Sequence, residues 1–302
     1  MIRTLGTIFT VLLGLAFGSF LNVCLSRWPE GESIVHPRSH CRDCEHTLAW
    51  WENVPLVSWL ALRGRCRGCG VWIGLRYPLV ELAIGVLWGD SAWRAFSLLL
   101  DHGLDFGSSG AYSTLIFALG AMILYWLLVA LAVLDLENLW LPDWLTLPGA
   151  LLGLILTLLQ FGLMSNPAFN KYGVFGVQQH LLSGFALQWI LGILAAAGLM
   201  LLIRWVYWLI RRREGLGLGD AKLMALLAAW LGLPGALLSF ALGIILGATA
   251  AVSLLAAPRT YADAAAWALQ KLPLGTFLCI GGIATGLWGQ QIMAIYMRLI
   301  GF

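Results

Sequence analysis

Four of the six cysteines occur as two Cys-x-x-Cys pairs in one polar segment near the N-terminus. The pairs are Cys41–Cys44 and Cys66–Cys69, with 21 residues between them. Two such pairs can place four thiolates at the corners of a tetrahedron, the geometry that Zn²⁺ prefers. Because four cysteines leave no ligand position for water, such a metal would fold the segment rather than catalyse a reaction. There are three alternatives to a Cys₄ zinc site. The cysteines could form disulfides, they could be unrelated or redox-active thiols, or His40 could replace one of them as a metal ligand.

Carboxylates at two places beside long apolar runs are the other candidates for catalytic residues. Asp135, Glu137 and Asp143 lie around the junction of two apolar runs, and Asp220 follows a glycine-rich stretch that ends in Gly217-Leu218-Gly219. Two carboxyls that share a site cannot both ionise cheaply, which is the basis of aspartyl hydrolysis. N-capping of the following helix is the alternative for Asp143 and for Asp220. Spacing alone does not decide whether Asp135 or Asp143 would be the partner of Asp220.

The amino-acid composition shows whether these groups belong to a soluble protein or to a membrane protein. Of the 302 residues, 60% are hydrophobic and only 11% are charged, whereas soluble domains carry about 25% charged residues. This excludes a soluble enzyme, a disordered chain and a disulfide-rich secreted module. The net charge of +3, from 18 basic and 15 acidic residues, does not indicate a nucleic-acid partner.

Long stretches without any charged residue predict the membrane-spanning helices. Each exceeds the roughly 20 residues that a helix needs to cross the hydrocarbon core. Six such stretches are present: 4–26, 106–134, 144–170, 172–203, 223–258 and 272–297. A Gly and Pro turn at 231–235 divides the fifth into two helices, and residues 78–100 form a weaker candidate. The prediction is an all-α polytopic membrane protein with about eight transmembrane helices.

The basic residues predict the orientation of these helices. Fourteen of the eighteen Lys and Arg residues lie in 27–77, 204–222 and 258–272. Cytoplasmic loops are enriched in Lys and Arg, so these segments, with the cysteines and the aspartates, are expected on the cytoplasmic side. Reduced thiols in that compartment argue against disulfides. The expected division is a first helix (1–26), a Cys₄ zinc-binding loop domain (27–77) and a transmembrane peptidase bundle (78–302).

The motifs in chain order resemble those of the prepilin leader peptidase/N-methyltransferases, membrane aspartyl proteases of the GxGD type. The resemblance covers nearly the whole chain, and it is the ordered set of motifs that is specific. The matching segments are Gly18–Val23 with Arg27–Pro29, Ser39–Cys41 with Cys44, Asn53–Pro55 with Ser58, Arg65–Cys66 with Cys69, Arg76–Leu82, Asp135 with Leu141–Thr146, and Gly217–Lys222.

The resemblance implies both an activity and its residues. Asp135 and Asp220 would form the catalytic dyad, Asp143 would keep the capping role, and Cys41, Cys44, Cys66 and Cys69 would bind zinc. The enzyme would cleave type IV prepilins, or the pseudopilins of type II secretion, on the cytoplasmic side of the bacterial inner membrane. It would then methylate the new N-terminal residue with S-adenosylmethionine. No G-x-G-x-x-G follows a predicted strand, so the residues that bind this cofactor are not readable.

The sequence departs from the family pattern in places, and two other functions compete with this hypothesis. Glu137 stands where many members have an aspartate, and residues around 162–180 form an apparent insertion. A peptidase without methyl transfer is one alternative function. A zinc-stabilised scaffold or transporter with non-catalytic carboxylates is the other. Besides the pilin substrates, the only partners expected are membrane lipids.

Overall fold

The computed structural model describes residues 1–101, 103, 108–163, 182–212, 217–256 and 273–299, and its regular structure there is helical. Two short 3₁₀ turns, at Trp28–Glu30 and Trp50–Asn53, lie in the polar segment after the first helix. The α-helices of the described residues are α1 (Ile2–Arg27), α2 (Val57–Ala61), α3 (Arg76–Asp101), α4 (Ser109–Asn138), α5 (Asp143–Leu163), α6 (Leu182–Arg211), α7 (Leu218–Ala256) and α8 (Leu274–Leu299).

Six of these helices, α1 and α4 to α8, are long and apolar enough to cross a membrane. Helix α3 does not qualify, because Glu81, Asp90 and Arg94 interrupt its apolar sequence. It is nevertheless a continuous helix of 26 residues, at the position of the weaker predicted span. The prediction of an all-α, multi-pass membrane protein is confirmed.

Helix α7 is two helices that meet at Gly232. The backbone there has φ 70° and ψ 172°, which is not helical, and Pro234 follows two residues later. The left-handed φ favours glycine, and a Cβ at this position would come within 3.0 Å of the Trp189 ring. The predicted turn at 231–235 is therefore present. Counted in this way, the described residues contain eight long helical segments.

Contacts between Cα atoms divide the chain into two units, Met1–Ala130 and Leu131–Phe302, with the boundary inside α4. In the first unit α1 packs along α3. In the second unit α7 packs against α5, α6 and α8. Most of the apparent insertion around 162–180 lies outside the described residues, from residue 164 onward. The basic residues Arg259 and Lys271 also lie outside them.

Small residues bring α1 and α3 into backbone contact. Gly14 and Gly18 are both buried on the α3 side of α1. A Cβ at Gly18 would lie 2.7 Å from the Glu81 Cα, and one at Gly14 would lie 3.0 Å from the Gly85 Cα. Such close approach of two backbones is typical of small-xxx-small packing between membrane helices.

We predict that Gly18→Leu destabilises the protein because the larger side chain must push α1 away from α3. Overpacking of this kind costs about 1–3 kcal/mol, and the midpoint of thermal unfolding in detergent measures it. Ala16→Leu is the matched control, since Ala16 lies on the exposed face of the same helix. Equal midpoints for the two variants would contradict the packing interpretation.

Candidate active site and metal centre

Asp135 lies in the last turn of α4, which continues to Asn138 rather than ending at residue 134 as the charge pattern predicted. Its residue surface is only 6% exposed. The backbone turns immediately afterwards, because Leu139 has a φ of 50° and its N–H donates to the Asp135 carbonyl at 2.9 Å. A short connection then leads to Asp143, the first residue of α5.

The Asp135 carboxylate is held by the beginning of α8. The Thr276 backbone N–H donates to Asp135 Oδ2 at 2.7 Å, and the Thr276 Oγ1 lies 3.2 Å from the same oxygen. Thr276 Oγ1 also lies 3.0 Å from the Ala132 carbonyl, so its single proton is shared between that carbonyl and the carboxylate, and one side chain ties α8 to α4 in two places. The orphan N–H groups at the start of a helix are favourable partners for a carboxylate.

Gly275 allows the start of α8 to approach the carboxylate. A Cβ there would lie 2.9 Å from Asp135 Oδ2 and 3.0 Å from Leu141 Cδ1. Leu141 also covers Gly219, where a Cβ would lie 3.1 Å from the Leu141 side chain. One leucine of the α4–α5 connection thus packs against the backbone beside both aspartates.

Asp220 lies in the first turn of α7, because this helix begins at Leu218 and not after the aspartate as the sequence suggested. Its surface is 9% exposed. The Gly217 backbone interacts with the Asp220 carboxylate, and Asp135 is close enough for the two carboxylates to interact electrostatically. The structure therefore brings together these two aspartates.

The other acidic residues of the junction are outside this pair. The Asp143 side chain is 62% exposed and accepts a hydrogen bond from Lys222 Nζ at 2.5 Å. An ion pair thus takes the place of the expected N-cap, and Asp143 remains in the first helical turn, where negative charge is favourable. Glu137 is exposed.

Thr276 and Gly275 were missed by the sequence analysis. They stand at the start of the last apolar run, directly after Pro273 and Leu274, where a helix N-terminus is a reasonable expectation. Nothing in the spacing shows that this terminus faces Asp135, which is 141 residues away.

The four cysteines of the two pairs form one cluster within the first unit. Their Sγ atoms all lie within 4.8 Å of one another, with 3.8 Å between those of Cys41 and Cys69 and 3.9 Å between those of Cys44 and Cys66. A disulfide would require about 2.05 Å. A tetrahedral zinc with Zn–S bonds of about 2.3 Å implies about 3.8 Å between sulfurs. The cluster therefore has the dimensions of a metal site.

Both pairs are built on the same backbone turn. The residue after the second cysteine, Glu45 or Gly70, has a positive φ, and its N–H donates at 2.9 Å to the carbonyl of the first cysteine. The cysteine N–H groups complete the turns, because Cys41 donates to the His46 carbonyl and Cys66 to the Val71 carbonyl. Each turn places two thiols on one side.

Backbone donors favour the thiolate at one of these positions. The pKa of Cys66 is lowered to about 7, chiefly by the Cys69 N–H and further by the Gly68 N–H, which lies 3.3 Å from the Cys66 Sγ. Since metal ligands must be deprotonated, this helps to prepare the site. His40 is not part of the cluster, and its Nδ1 lies 3.0 Å from the Arg38 carbonyl.

A buried glutamate anchors the segment between the two turns. Glu52 accepts a hydrogen bond from the Ala49 N–H at 2.7 Å, and its carboxylate lies 3.4 Å from His46 Nε2. The Ala49 N–H, followed by His46, lowers the pKa of this carboxylate below its ordinary value. The first cysteine turn is thereby fastened to the 3₁₀ turn at Trp50–Asn53.

Comparisons with known proteins give two family matches along the chain. The family model of the bacterial peptidase A24 N-terminal domain matches residues 12–95, and that of the type IV leader peptidase family matches residues 122–252. A prepilin leader peptidase/N-methyltransferase of Stutzerimonas stutzeri is 33% identical over 95% of this chain and 92% of its own length. The chain belongs to the type IV prepilin leader peptidase family.

Other members of this family give similar matches. The prepilin leader peptidase/N-methyltransferase of Pseudomonas aeruginosa is 34% identical, over 97% of this chain and 94% of its own length. That of Myxococcus xanthus is 40% identical, over 74% of this chain and 56% of its own length. No solved structure matches the chain significantly. The expected family is confirmed.

Proposed function

We propose that this chain removes the leader peptide of type IV prepilins, or of the related pseudopilins, with Asp135 and Asp220, and then methylates the new N-terminus. The observation that carries the peptidase half is the pair of buried carboxylates, 85 residues apart in sequence, that interact electrostatically at one end of α4 and α7. Ionisable groups in membrane helices are costly and are kept where they function.

The proposed cleavage is general acid–base hydrolysis. One carboxylate takes a proton from a water molecule, whose oxygen attacks the carbonyl carbon of the scissile peptide bond. The other carboxyl donates its proton to the carbonyl oxygen and stabilises the tetrahedral intermediate. When this intermediate collapses, the C–N bond breaks, the leaving amine takes the proton that the first carboxyl received from water, and the second carboxyl recovers its proton from a hydroxyl of the intermediate.

Hydrogen bonding suggests which aspartate begins as the base. Asp135 Oδ2 receives the N–H of Thr276 and shares the Thr276 hydroxyl proton with the Ala132 carbonyl, and an ionised carboxylate is an acceptor only. We therefore assign the water-activating role to Asp135 and the proton-donating role to Asp220. Gly217 and Gly219 beside Asp220 have no Cβ, which allows an extended substrate to approach the backbone.

Zn²⁺ is the metal that we propose for the cysteine cluster. Four thiolates at these separations match its tetrahedral Cys₄ sites, and such closed sites are structural. The metal would join the two cysteine turns and so fold a loop domain at residues 27–77. The seven arginines of this range support a cytoplasmic position for it, in a protein of the bacterial inner membrane.

S-adenosylmethionine is the methyl donor that we propose. When bound it would supply an electrophilic methyl group: as the N–C bond to a neutral amine forms, the C–S bond breaks, the sulfur leaves as a neutral thioether and the amine loses a proton. The names of the relatives, which combine leader peptidase and N-methyltransferase, support this half of the function. Transfer of labelled methyl groups to a cleaved pilin distinguishes the bifunctional enzyme from a peptidase alone.

Asparagine variants test the catalytic pair. We predict that Asp135→Asn and Asp220→Asn each lower the rate of prepilin cleavage at least about a hundredfold, because each removes one member of an acid–base pair. The measurement is cleavage of a purified prepilin in detergent or liposomes. Asp143→Asn is the matched control and is expected to stay near the wild-type rate, since exposed ion pairs contribute little.

Two results would contradict the assignment. Near wild-type cleavage by both the Asp135 and Asp220 variants would favour a scaffold or transporter with non-catalytic carboxylates. Loss of cleavage in Asp143→Asn with retention in Asp135→Asn would make Asp143 the partner of Asp220.

The hydroxyl of Thr276 is predicted to position Asp135. Thr276→Val keeps the shape of the side chain but removes the donor, and we expect kcat to fall about tenfold or more, with KM nearly unchanged. Thr276→Ser keeps the donor and is expected to remain within about threefold of wild type. Equal loss in the two variants would show that the methyl group and packing, not the hydrogen bond, matter.

Metal analysis tests the zinc site. We expect about one Zn²⁺ per chain in protein purified under reducing conditions, and we expect Cys41→Ser to release it because one ligand is lost. Cys24→Ala is the control, since the thiol of Cys24 is buried in α1 outside the cluster. Protein without metal, or a metal content unaffected by Cys41→Ser, would refute the assignment.

A further inference from the structure

A short apolar stretch, residues 54–62, interrupts the polar segment between α1 and α3 and contains no charged residue. It includes the whole of α2, and two side chains of this helix are largely exposed, Val57 at 62% and Leu60 at 68%. Single exposed apolar residues are common in proteins, so exposure alone does not explain them. The position of α2 relative to the membrane helices decides what this face contacts.

A hydrogen bond to α3 fixes the beginning of α2. The backbone N–H of Leu56, directly before α2, donates to Glu81 Oε2 at 2.8 Å. Glu81 is buried in the second turn of α3, and its carboxylate also accepts a hydrogen bond from the side chain of Ser19 in α1. One carboxylate thus holds the start of α2 against both long helices.

This contact lies below the end of α1 rather than beyond it. The end of α1 and the start of α3 are level, because Arg76 Nη2 donates to the Ser26 hydroxyl at 2.6 Å. At Gly18, about two turns before the end of α1, a Cβ would lie 2.7 Å from the Glu81 Cα. Since α1 is apolar enough to cross a membrane, the beginning of α2 lies about 10 Å inside the end of a membrane-spanning helix.

The exposed surface of α3 at this level is apolar as well. Leu79, Leu82 and Val86 are exposed and follow the spacing of one helix face. Leu75, which directly precedes the helix, is exposed too. Because α3 packs along α1, this face is in the position of a lipid-facing stripe. The exposed side chains of α2 therefore continue an apolar surface that begins on a membrane helix.

The backbone of α2 is compatible with a surrounding that contains little water. The N–H groups of Leu60 and Leu62 donate to the carbonyls of Leu56 and Ser58 at 3.0 and 2.9 Å. The Ser58 hydroxyl donates to the Val54 carbonyl at 2.8 Å. Polar groups at membrane depth need partners within the protein, and these groups have them.

The charge of the polar segment changes sign along its length. Its five acidic residues all lie between residues 30 and 52, whereas residues 53–75 contain Arg63, Arg65 and Arg67 and no acid. The three arginines are exposed and directly follow the apolar stretch. Basic residues beside an inserted apolar segment interact favourably with anionic lipids. The charge of this half is therefore complementary to an anionic membrane surface.

We propose that α2 inserts into the interface of the lipid bilayer. Val57 and Leu60 contact the lipid chains, and Arg63 and Arg65 contact the phosphate groups of anionic lipids. The acidic half of the segment, residues 30–52, then faces water. This anchor holds the second cysteine turn at the membrane surface, and it depends on neither peptide cleavage nor methyl transfer.

Photo-crosslinking of the full-length protein tests what covers α2. Benzoylphenylalanine replaces Leu60 in one variant and Val35 in the matched control, since Val35 is equally exposed but lies in the acidic half. In vesicles of phosphatidylethanolamine and phosphatidylglycerol, we expect position 60 to give about tenfold more lipid adduct than position 35. Mass spectrometry measures the adducts, and zinc content relative to wild type checks the folding of each variant.

A charge comparison tests the arginines. Combined with the crosslinker at position 60, Arg63→Gln is expected to lower the yield of lipid adduct about threefold, because one basic residue fewer holds α2 at the anionic surface. Arg38→Gln is the control, since Arg38 is exposed in the acidic half. It is expected to leave the yield unchanged.

Trypsin provides a second measurement on chains without an unnatural residue. Leu60→Glu places a charge where the proposal puts lipid chains, so we expect α2 to leave the bilayer. Cleavage after Arg63 in inverted membrane vesicles should then be about tenfold faster than in wild type. Val35→Glu is the control and is expected to be cleaved there at the wild-type rate.

Several outcomes would overturn the proposal. Equal lipid adducts at positions 60 and 35, with zinc retained, would show that α2 is in water. Adducts between position 60 and a second copy of the chain would make this face a dimer interface instead. Equal yields in the two arginine variants would exclude a contribution of anionic phosphate groups. If the crosslinker variants lose zinc, equal trypsin cleavage of Leu60→Glu and wild type would refute the insertion of α2.

Discussion

The hydrogen bonds from Thr276 to the Asp135 carboxylate are the interaction on which the second unit depends. A carboxylate surrounded by apolar helices is costly to bury unless donors compensate for the lost water. Here the start of α8 supplies a backbone N–H at 2.7 Å and a hydroxyl at 3.2 Å. Because α8 also packs against α7, which carries Asp220, the position of this helix end influences both acids.

Close backbone contact, made possible by small residues, complements these few polar contacts. Gly275 lets α8 reach Asp135, Gly219 accepts Leu141 beside Asp220, and Gly18 lets α1 meet α3. Membrane helices gain little from the hydrophobic effect when they associate, so van der Waals contact between backbones is a main source of stability. Gly219 and Gly275 thus also allow the close packing beside the two aspartates of the candidate active site.

The candidate peptidase site and the cysteine cluster lie in different units of the chain. The second unit holds the buried aspartates, and the first unit holds the cysteine cluster and a cavity of about 510 Å³ beside it. The cysteines Cys41 and Cys66 also line that cavity, so the proposed zinc would fix one of its walls.

The sequence by itself determined the features that depend on composition and short-range geometry. The small number of charged residues specified a membrane protein, each Cys-x-x-Cys pair specified a tight turn with two thiols on one side, and the Gly and Pro residues at 231–235 specified the break in α7.

Only the tertiary structure decided which carboxylates meet. Asp135 and Asp143 are equivalent by spacing, but one is buried against Thr276 and the other is exposed beside Lys222. The contact with Thr276 and the bond from Leu56 to Glu81 join segments distant in the chain, and such contacts depend on how whole helices pack rather than on any local pattern.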